Sequence, residues 1–161
     1  KLLKGTWIFF WVINCLLLIG LTFMYSKRAR VESMYYLSRY PYLKNIIVED
    51  EKGEVPMLPI FYTGKWPVYP EKPEHDSTIY IRIASIAEGP KFNHPQFFIF
   101  CGEKNLDQRV AKAQGYFPLL IYETTIDPGF IDQLMHLLNP VNKADKIYIY
   151  RNRGFYPEKI K

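Results

Sequence analysis

The pattern of apolar and polar positions begins with an unbroken apolar run. Residues 5–26 contain no charged side chain. As an α-helix this run would measure about 33 Å, close to the roughly 30 Å of a bilayer's hydrocarbon core. Trp7 and Trp11 stand near one end and Tyr25 near the other, where amphipathic rings favour the membrane interface. The pattern therefore predicts a transmembrane helix with its flank over residues 1–26.

A secretory signal peptide is the alternative interpretation of this run. Such a peptide has an apolar core of about 7–15 residues, followed by small residues at a cleavage site. The run here is longer, and the stretch Tyr25-Ser26-Lys27-Arg28 offers no such site, so a true span is favoured. Asn14 is the one strongly polar side chain in the run. It indicates either a hydrogen bond to a neighbouring helix or a single tolerated amide.

The remainder of the chain alternates between strand and helix patterns. Residues 27–41 are predicted to form a juxtamembrane helix, because Val31, Met34, Tyr35 and Leu37 share one face and Pro41 ends the run. Residues 42–161 are predicted to form a soluble α/β domain. Its strands are expected at 45–48, 55–62, 79–85, 96–101, 119–123 and 146–151, and its helices at 105–114 and 127–139.

The last third of the chain shows the clearest order of elements. Strand, helix, strand, helix and strand follow one another, which predicts βαβ units in a parallel or mixed sheet. The second helix carries an apolar stripe at helical spacing (Phe130, Ile131, Leu134 and Leu138). The predicted fold class is therefore α/β, with one N-terminal transmembrane helix followed by a small mixed β-sheet domain with βαβ units.

Local signals fix several boundaries of these elements. Asn105 followed by Gln108 is the capping-box pattern at a helix start, and Asp127 before Pro128 pairs an N-cap with proline in the first turn. Two prolines in residues 55–62 indicate an edge strand, because proline cannot donate to a ladder.

A proline-rich stretch at residues 64–77 is the most irregular part of the domain. It carries Trp66 and Tyr69, which are the candidate residues for contact with a sugar or a partner. Long ordered loops on small scaffolds often carry binding sites. The alternative, which is favoured, is that both rings pack on the sheet or touch lipid headgroups.

The net charge of +5 is concentrated around the apolar run. Five of the 21 Lys and Arg residues lie at or before Arg30, which leaves 16 in the remainder against the chain's 16 Asp and Glu. A nucleic-acid-binding domain needs a clustered basic face, so nucleic acid is not expected as a partner. The acidic run at residues 49–54 predicts a solvated turn.

The chain offers few residues for catalysis or metal binding. His75, His94 and His136 lack a partner at metal-ligand spacing, and Cys15 and Cys101 are too few for a thiolate site. Cys101 ends a strand before a helix, so a Cys–His nucleophile is conceivable, but a buried small hydrophobe fits better. No catalytic residue, metal or cofactor is therefore predicted.

Two stretches of the sequence, RVESMYYL at residues 30–37 and KIYIYR at residues 146–151, carry a family resemblance. Together with the preceding span they resemble the C-terminal end of GT-C membrane mannosyltransferases of the dolichol-oligosaccharide and GPI-anchor type, or a bacterial relative. The catalytic acidic residue of that family lies in an early extracytoplasmic loop. The resemblance therefore carries over no catalytic residue to this chain.

The resemblance implies a specific function and location. The chain would be the non-catalytic C-terminal part of a polytopic glycosyltransferase that transfers a mannose-like sugar from a polyprenyl-phosphate donor. The domain would be periplasmic or lumenal, with the bilayer, the lipid-linked sugar and other transmembrane helices as partners. In contrast, the basic residues that follow the run (Lys27, Arg28 and Arg30) favour a cytoplasmic domain.

An interaction protein is the alternative from a different functional class. The chain would then be a single-pass membrane-anchored module that docks on a larger membrane complex through a sheet edge or the proline-rich stretch. Further transmembrane helices before Lys1 in the reading frame would favour the transferase. A methionine shortly before Lys1 would favour the module.

Overall fold

The computed structural model describes residues 2–23, 27–50, 58–68, 78–92 and 94–155, which fall into two compact units. The helical unit lies within Lys1–Arg28 and Gly129–Ala144, and the sheet unit within Ala29–Pro128 and Asp145–Lys161. In chain order, the helices and strands of the described residues are α1 (Leu2–Phe23), α2 (Arg28–Ser38), β1 (Asn45–Glu49), β2 (Trp66–Val68), β3 (Thr78–Ala84), β4 (Phe97–Cys101), α3 (Leu106–Tyr116), β5 (Leu120–Ile126), α4 (Phe130–Leu138) and β6 (Ile147–Asn152). Two 3-10 helices lie at Ile60–Thr63 and Ile86–Lys91.

The described strands form one six-stranded sheet in the order β2-β3-β1-β4-β6-β5. The strands β2, β3, β1 and β4 are parallel to one another, whereas β6 is antiparallel to both β4 and β5. The connection β4–α3–β5 is thus a βαβ unit split by the last strand. The predicted α/β class and mixed sheet are confirmed.

Hydrophobic clusters cover both faces of this sheet. On one face, Ile46 and Val48 of β1 belong to the cluster that includes Met34 and Leu37 of α2. On the other face, Ile47 belongs to the cluster that includes residues of α3. Because side chains alternate along a strand and both faces are covered, the central strands β1 and β4 are apolar almost throughout. Each buried leucine- or phenylalanine-sized side chain stabilises the unit by roughly 1.5–3 kcal/mol.

The prediction of an edge strand at residues 55–62 is wrong in its described part. Residues 55–57 lie outside the described residues, and Ile60–Thr63 forms a 3-10 helix instead of a strand. Leu58 and Ile60 both belong to the α2-side cluster. The edges of the described sheet are β2 and β5, and Pro67 lies on the edge strand β2.

Neither of the two predicted side-chain caps forms. The helix α3 begins where expected, but Asn105 has a left-handed backbone (φ 52°, ψ 31°) and its side chain makes no capping hydrogen bond. The helix α4 begins at Phe130 with Gly129 at the N-cap, so Asp127 does not cap it. The carboxylate of Asp127 lies instead 3.7 Å from Nζ of Lys146, an opposite charge.

The acidic run at residues 49–54 is also only partly a turn. Glu49 is the last residue of β1 and is 2% exposed, so its prediction as a solvated residue is wrong. The N–H of Asp50 donates to the carbonyl of Ala84 at 3.0 Å, which prolongs the pairing of β1 with β3. Residues 51–54 lie outside the described residues.

The helical unit has its apolar side chains on the surface. Every side chain from Leu3 to Leu18 in α1 is exposed, and α4 contains no buried residue. The amide of Asn14 donates to the Phe10 carbonyl at 2.8 Å, so it is satisfied within its own helix. In the part of the chain that the structure describes, no helix combines the length and the hydropathy needed to cross a membrane.

Candidate functional site

Trp66, the predicted contact residue, lies on the edge strand β2. Its side chain is 73% exposed, so the ring does not pack on the sheet. Tyr69, the second predicted contact residue, lies outside the described residues. A role for Trp66 in binding a sugar, a partner or a lipid headgroup stays a prediction.

Three further aromatic rings form a surface group just before β2. The Tyr62 ring lies 5.1 Å from the Tyr35 ring and 4.4 Å from the Phe61 ring, measured between centroids. Tyr35 and Phe61 are exposed. We call Tyr35, Phe61, Tyr62 and Trp66 the aromatic surface. Sequence analysis missed the first three, because it assigned them to a helix face and an extended edge strand.

The side chain of Lys65 fixes the backbone next to Trp66 through hydrogen bonds. Its ammonium group donates to the carbonyls of Leu43 at 2.5 Å and Pro41 at 3.2 Å, in the loop between α2 and β1. Gly64 allows the sharp turn before it, with a left-handed φ of 75°. The Trp66 ring is therefore carried on a fixed backbone, and exposed rings of this kind can stack on a sugar face or enter a headgroup layer.

The carboxyl ends of the parallel strands are the usual place for a ligand in an α/β sheet. Here that edge is filled by the arginine of α3. The Arg109 guanidinium donates to the carbonyl of Cys101 at 3.0 and 3.2 Å and to that of Gly102 at 3.1 Å. Its Nε lies 3.6 Å from Oε2 of Glu49. The charges at this edge are thus engaged with one another and with the backbone.

Cys101 lies at the same edge, and its chemistry follows from its burial. Removal from solvent raises the pKa of its thiol to about 11, and the nearby Arg30 opposes this shift only in part. The group is a neutral thiol at neutral pH, which makes it a poor nucleophile. Cys101 is partly buried and packs against the α2-side cluster, so it fits a small hydrophobic residue better than a nucleophile.

An exposed ion pair lies beside this edge. Nζ of Lys146 is 2.7 Å from Oε1 of Glu103, and the hydroxyl of Tyr148 donates to the same oxygen at 3.0 Å. Lys146 lowers the pKa of the Glu103 carboxyl, and Glu103 raises the pKa of Lys146. Exposed pairs of this kind are screened by water and contribute little to stability.

A buried network links β5, β6 and α2. Nε of Arg151, which is 1% exposed, donates to Oε2 of Glu123 at 3.0 Å. The hydroxyls of Tyr40 and Tyr36 donate to the other carboxylate oxygen at 2.9 and 3.1 Å. The carboxylate therefore accepts from three side chains, and the sheet and α2 are fastened together at this point.

The titration of this network follows from its contacts. Burial alone would raise the pKa of Glu123, but the hydrogen bonds from Tyr40 and Tyr36 and the Arg151 charge together lower it. Burial, followed by the contacts within the network, raises the pKa of Tyr40. The ionised carboxylate and neutral phenols are thus the stable states at neutral pH.

Sequence analysis missed this network, although one signal for it exists. Arg151 follows Ile147 and Ile149 at the two-residue period of a strand, which places it on the buried face. Glu123 could not be found in the same way. The register between β5 and β6 shifts between Tyr122 and Thr124, so Glu123 is an extra residue in β5. Such bulges redirect a side chain.

The histidines take structural positions. The ring of His94 packs edge-on against Phe155 at 4.7 Å, and Nδ1 of His136 lies 2.8 Å from the Asn142 carbonyl oxygen. His75 lies outside the described residues. Within the described ranges, no group of three or more His, Cys, Asp or Glu side chains is placed to hold a metal ion.

Comparisons of the chain with protein-family models, with curated proteins and with solved structures found no match.

Proposed function

We propose that this chain is the membrane-attached, non-catalytic C-terminal part of a polytopic glycosyltransferase that uses a polyprenyl-phosphate-linked, mannose-like sugar. In this proposal the helical unit provides attachment to the bilayer. The sheet unit is an extracytoplasmic accessory domain that presents the aromatic surface to the lipid-linked sugar or to the acceptor.

The observation that carries the proposal is the outward-facing apolar surface of α1. From Leu3 to Leu18 the side chains are exposed on all sides of the helix, and Lys4 is the only charged one among them. A helix that is apolar all round needs an apolar environment all round. The uncharged sequence continues to Ser26, beyond the described end of α1. Lipid or neighbouring transmembrane helices would supply that environment.

The accessory role of the sheet unit is supported by how its polar groups are used. The Glu123 and Glu49 carboxylates are held by arginines inside the fold, and the Cys101 thiol has a raised pKa. These groups fasten elements together. Exposed rings with a fixed backbone are the remaining feature suited to recognition, and sugars present flat apolar faces that stack on them.

The first experiment determines the side of the membrane. A cysteine at Lys104, an exposed residue, is introduced into a Cys15→Ser, Cys101→Ala background and probed in intact cells with a membrane-impermeant maleimide. Val110→Cys, at a buried position of α3, is the matched control and should label only after unfolding. Labelling at position 104 supports an extracytoplasmic domain. Protection until the membrane is opened would overturn the glycosyltransferase proposal and favour a cytoplasmic interaction module.

The second experiment tests the aromatic surface. Membranes containing the protein in its complete reading frame are assayed for transfer of radiolabelled mannose from polyprenyl-phosphate mannose. We expect Trp66→Ala to raise the KM about two- to tenfold, since aromatic contacts contribute about 0.5–1.5 kcal/mol, whereas Trp66→Phe should retain most of the activity. Leu119→Ala, at an exposed apolar residue outside the aromatic surface, is the control. Equal KM values for Trp66→Ala and Leu119→Ala would remove Trp66 from the proposed site.

A further inference from the structure

The short helix α4 carries an exposed apolar face that the fold of the sheet unit does not explain. Phe130 is 77% and Leu137 is 79% exposed, and Leu134 and Leu138 are exposed beside them. At about 100° per residue these four side chains fall within an arc of roughly 100° on one side of the helix. The helix connects β5 to the antiparallel strand β6, and its apolar stripe is on the surface.

The opposite side of α4 is engaged within the helical unit. The Asp132 carboxylate accepts hydrogen bonds from the backbone N–H groups of Lys27 at 2.6 Å and Arg28 at 2.9 Å. Asp132 lies about 180° round the helix from the centre of the apolar arc. The polar side of α4 is therefore fixed, and the apolar arc is directed away from this attachment.

This attachment holds the first turn of α4 against Lys27 and Arg28, which follow α1 in the chain. Lys27 is four residues beyond Phe23, the last residue of α1. The first turn of α4 is thus held where the chain leaves the apolar run. If α1 is embedded in lipid, that place is the headgroup layer. Lys27 and Arg28, both exposed, would provide positive charge there that matches anionic headgroups.

We propose that α4 is an interfacial helix that lies in the headgroup layer, with Phe130, Leu134, Leu137 and Leu138 against the acyl chains. This inference rests on the proposed insertion of α1 into the bilayer. Nine residues would bind a membrane weakly by themselves, but attachment at Lys27 makes the insertion intramolecular, which removes most of the cost of association.

A lipid surface fits this arc better than a second protein chain does. Four side chains on three turns present only a few hundred Å² of apolar area, whereas a stable protein interface needs about 800 Å² from each partner. Partition into a headgroup layer has no such minimum, because each buried CH₂ group contributes about 0.8 kcal/mol by itself.

The test uses fluorescence of the whole chain in phosphatidylcholine–phosphatidylglycerol vesicles. A nitrobenzoxadiazole label is placed on a single cysteine at Leu137, at His136 or at Ile8, in the Cys15→Ser, Cys101→Ala background. His136 is the matched control, since it is exposed and lies about 100° round α4 from Leu137. Ile8 reports on α1. Lipids with a spin label near the headgroup or deep in the acyl chain are the quenchers.

We expect the label at Leu137 to be quenched by the shallow spin label at least about twice as strongly as the label at His136. The label at Ile8 should be quenched most by the deep spin label. Deep quenching at Ile8 with equal, weak quenching at Leu137 and His136 would overturn the interfacial helix while the insertion of α1 stands. Absence of quenching at all three positions would overturn both.

A second chain on the arc gives a distinct result. The emission of the label at Leu137 would then depend on the ratio of protein to lipid and would be insensitive to the spin-labelled lipids. This result would also overturn the proposal. Independence from the protein-to-lipid ratio, together with shallow quenching, would support it.

Discussion

The sheet unit and the helical unit place the same kinds of side chain in opposite environments. In the sheet unit Leu37 of α2 is fully buried, and so is the charged Arg151. In the helical unit Leu137 of α4 and Leu17 of α1 face outward. The sheet unit thus covers its apolar side chains with other residues of the same unit, and it also buries a charged side chain. The helical unit presents apolar surface that water cannot stabilise.

This contrast indicates which part of the molecule exposes apolar side chains that its own fold does not cover. The sheet unit has two hydrophobic clusters, one on each face of its sheet, and its buried Arg151 is paired with Glu123. The outward-facing leucines and aromatic rings of the helical unit are the observation on which the proposed attachment to a bilayer rests.

The strongest way to break the sheet unit is to remove one member of its buried ion pair. Arg151→Met should lower the free energy of unfolding by about 3–5 kcal/mol, because the Glu123 carboxylate would remain buried without its cation. Hydrogen exchange of the β4 and β6 amides measures this loss. Glu103→Gln, which removes an exposed ion pair, is the control and should change exchange very little. Equal effects of the two substitutions would show that the Arg151–Glu123 pair is not buried in solution.

The same substitution made in each unit sharpens the comparison directly. Leu37→Ala should cost about 2–5 kcal/mol of unfolding free energy, because it leaves a cavity between α2 and the sheet. Leu137→Ala should cost less than about 0.5 kcal/mol, since the side chain is exposed. Urea denaturation of the two variants in detergent micelles gives both values. Similar losses for the two variants would contradict the assignment of Leu137 to the surface.

The pH dependence of stability should reside in the sheet unit. Because the pKa of Glu123 is lowered in the fold, its contribution is present above about pH 4.5 and is lost as the pH falls through the folded value. Because the pKa of Tyr40 is raised, its contribution is present below about pH 10 and is lost as the pH rises further.

A titration of the denaturation midpoint tests this. We expect a plateau between these limits and a fall on each side. Tyr40→Phe should remove part of the alkaline fall and leave the plateau nearly level. A plateau whose alkaline edge is unchanged in Tyr40→Phe would show that another group controls it.

The smallest expected effect is on the reactivity of Cys101. With a pKa of about 11, its thiol should react with a disulfide reagent at pH 8 on the order of 100-fold more slowly in the folded chain than in urea. The measurement is made on the Cys15→Ser variant, in which Cys101 is the remaining one of the two cysteines, so the observed rate is that of Cys101. Rates within about twofold of each other would mean that the edge formed by Arg109 and Cys101 opens readily.

The sequence predicted most strands because burial on both faces leaves a simple pattern. The run at residues 96–101 and the alternation at residues 146–151 both correspond to observed strands, β4 and β6, within a residue or two of their ends. Five of the predicted strands are present. The sixth, at residues 55–62, is wrong in its described part, where Ile60–Thr63 forms a 3-10 helix that follows Pro59.

The interactions of the polar groups could not be predicted, because they depend on partners far away in the chain. Glu49 is buried at the end of β1, where Arg109 of α3 lies 3.6 Å from its carboxylate. Glu123 reaches Arg151 only through the bulge in β5. The apolar stripe of α4 was correctly recognised as a helix face, but its pattern is the same whether the face meets a sheet or a membrane.

The position of β6 has a consequence for how the chain folds during synthesis. Among the described strands of the sheet, β6 comes last in the chain, yet it lies between β4 and β5 and contributes Ile147, Ile149 and Arg151 to the interior. Until it emerges, β4 exposes an unpaired, wholly apolar edge, and β5 has no neighbour on which to form. The sheet must therefore close after translation has passed Asn152. Before that moment the open edge of β4 is available for pairing with another chain, which is the kind of exposure that leads to aggregation.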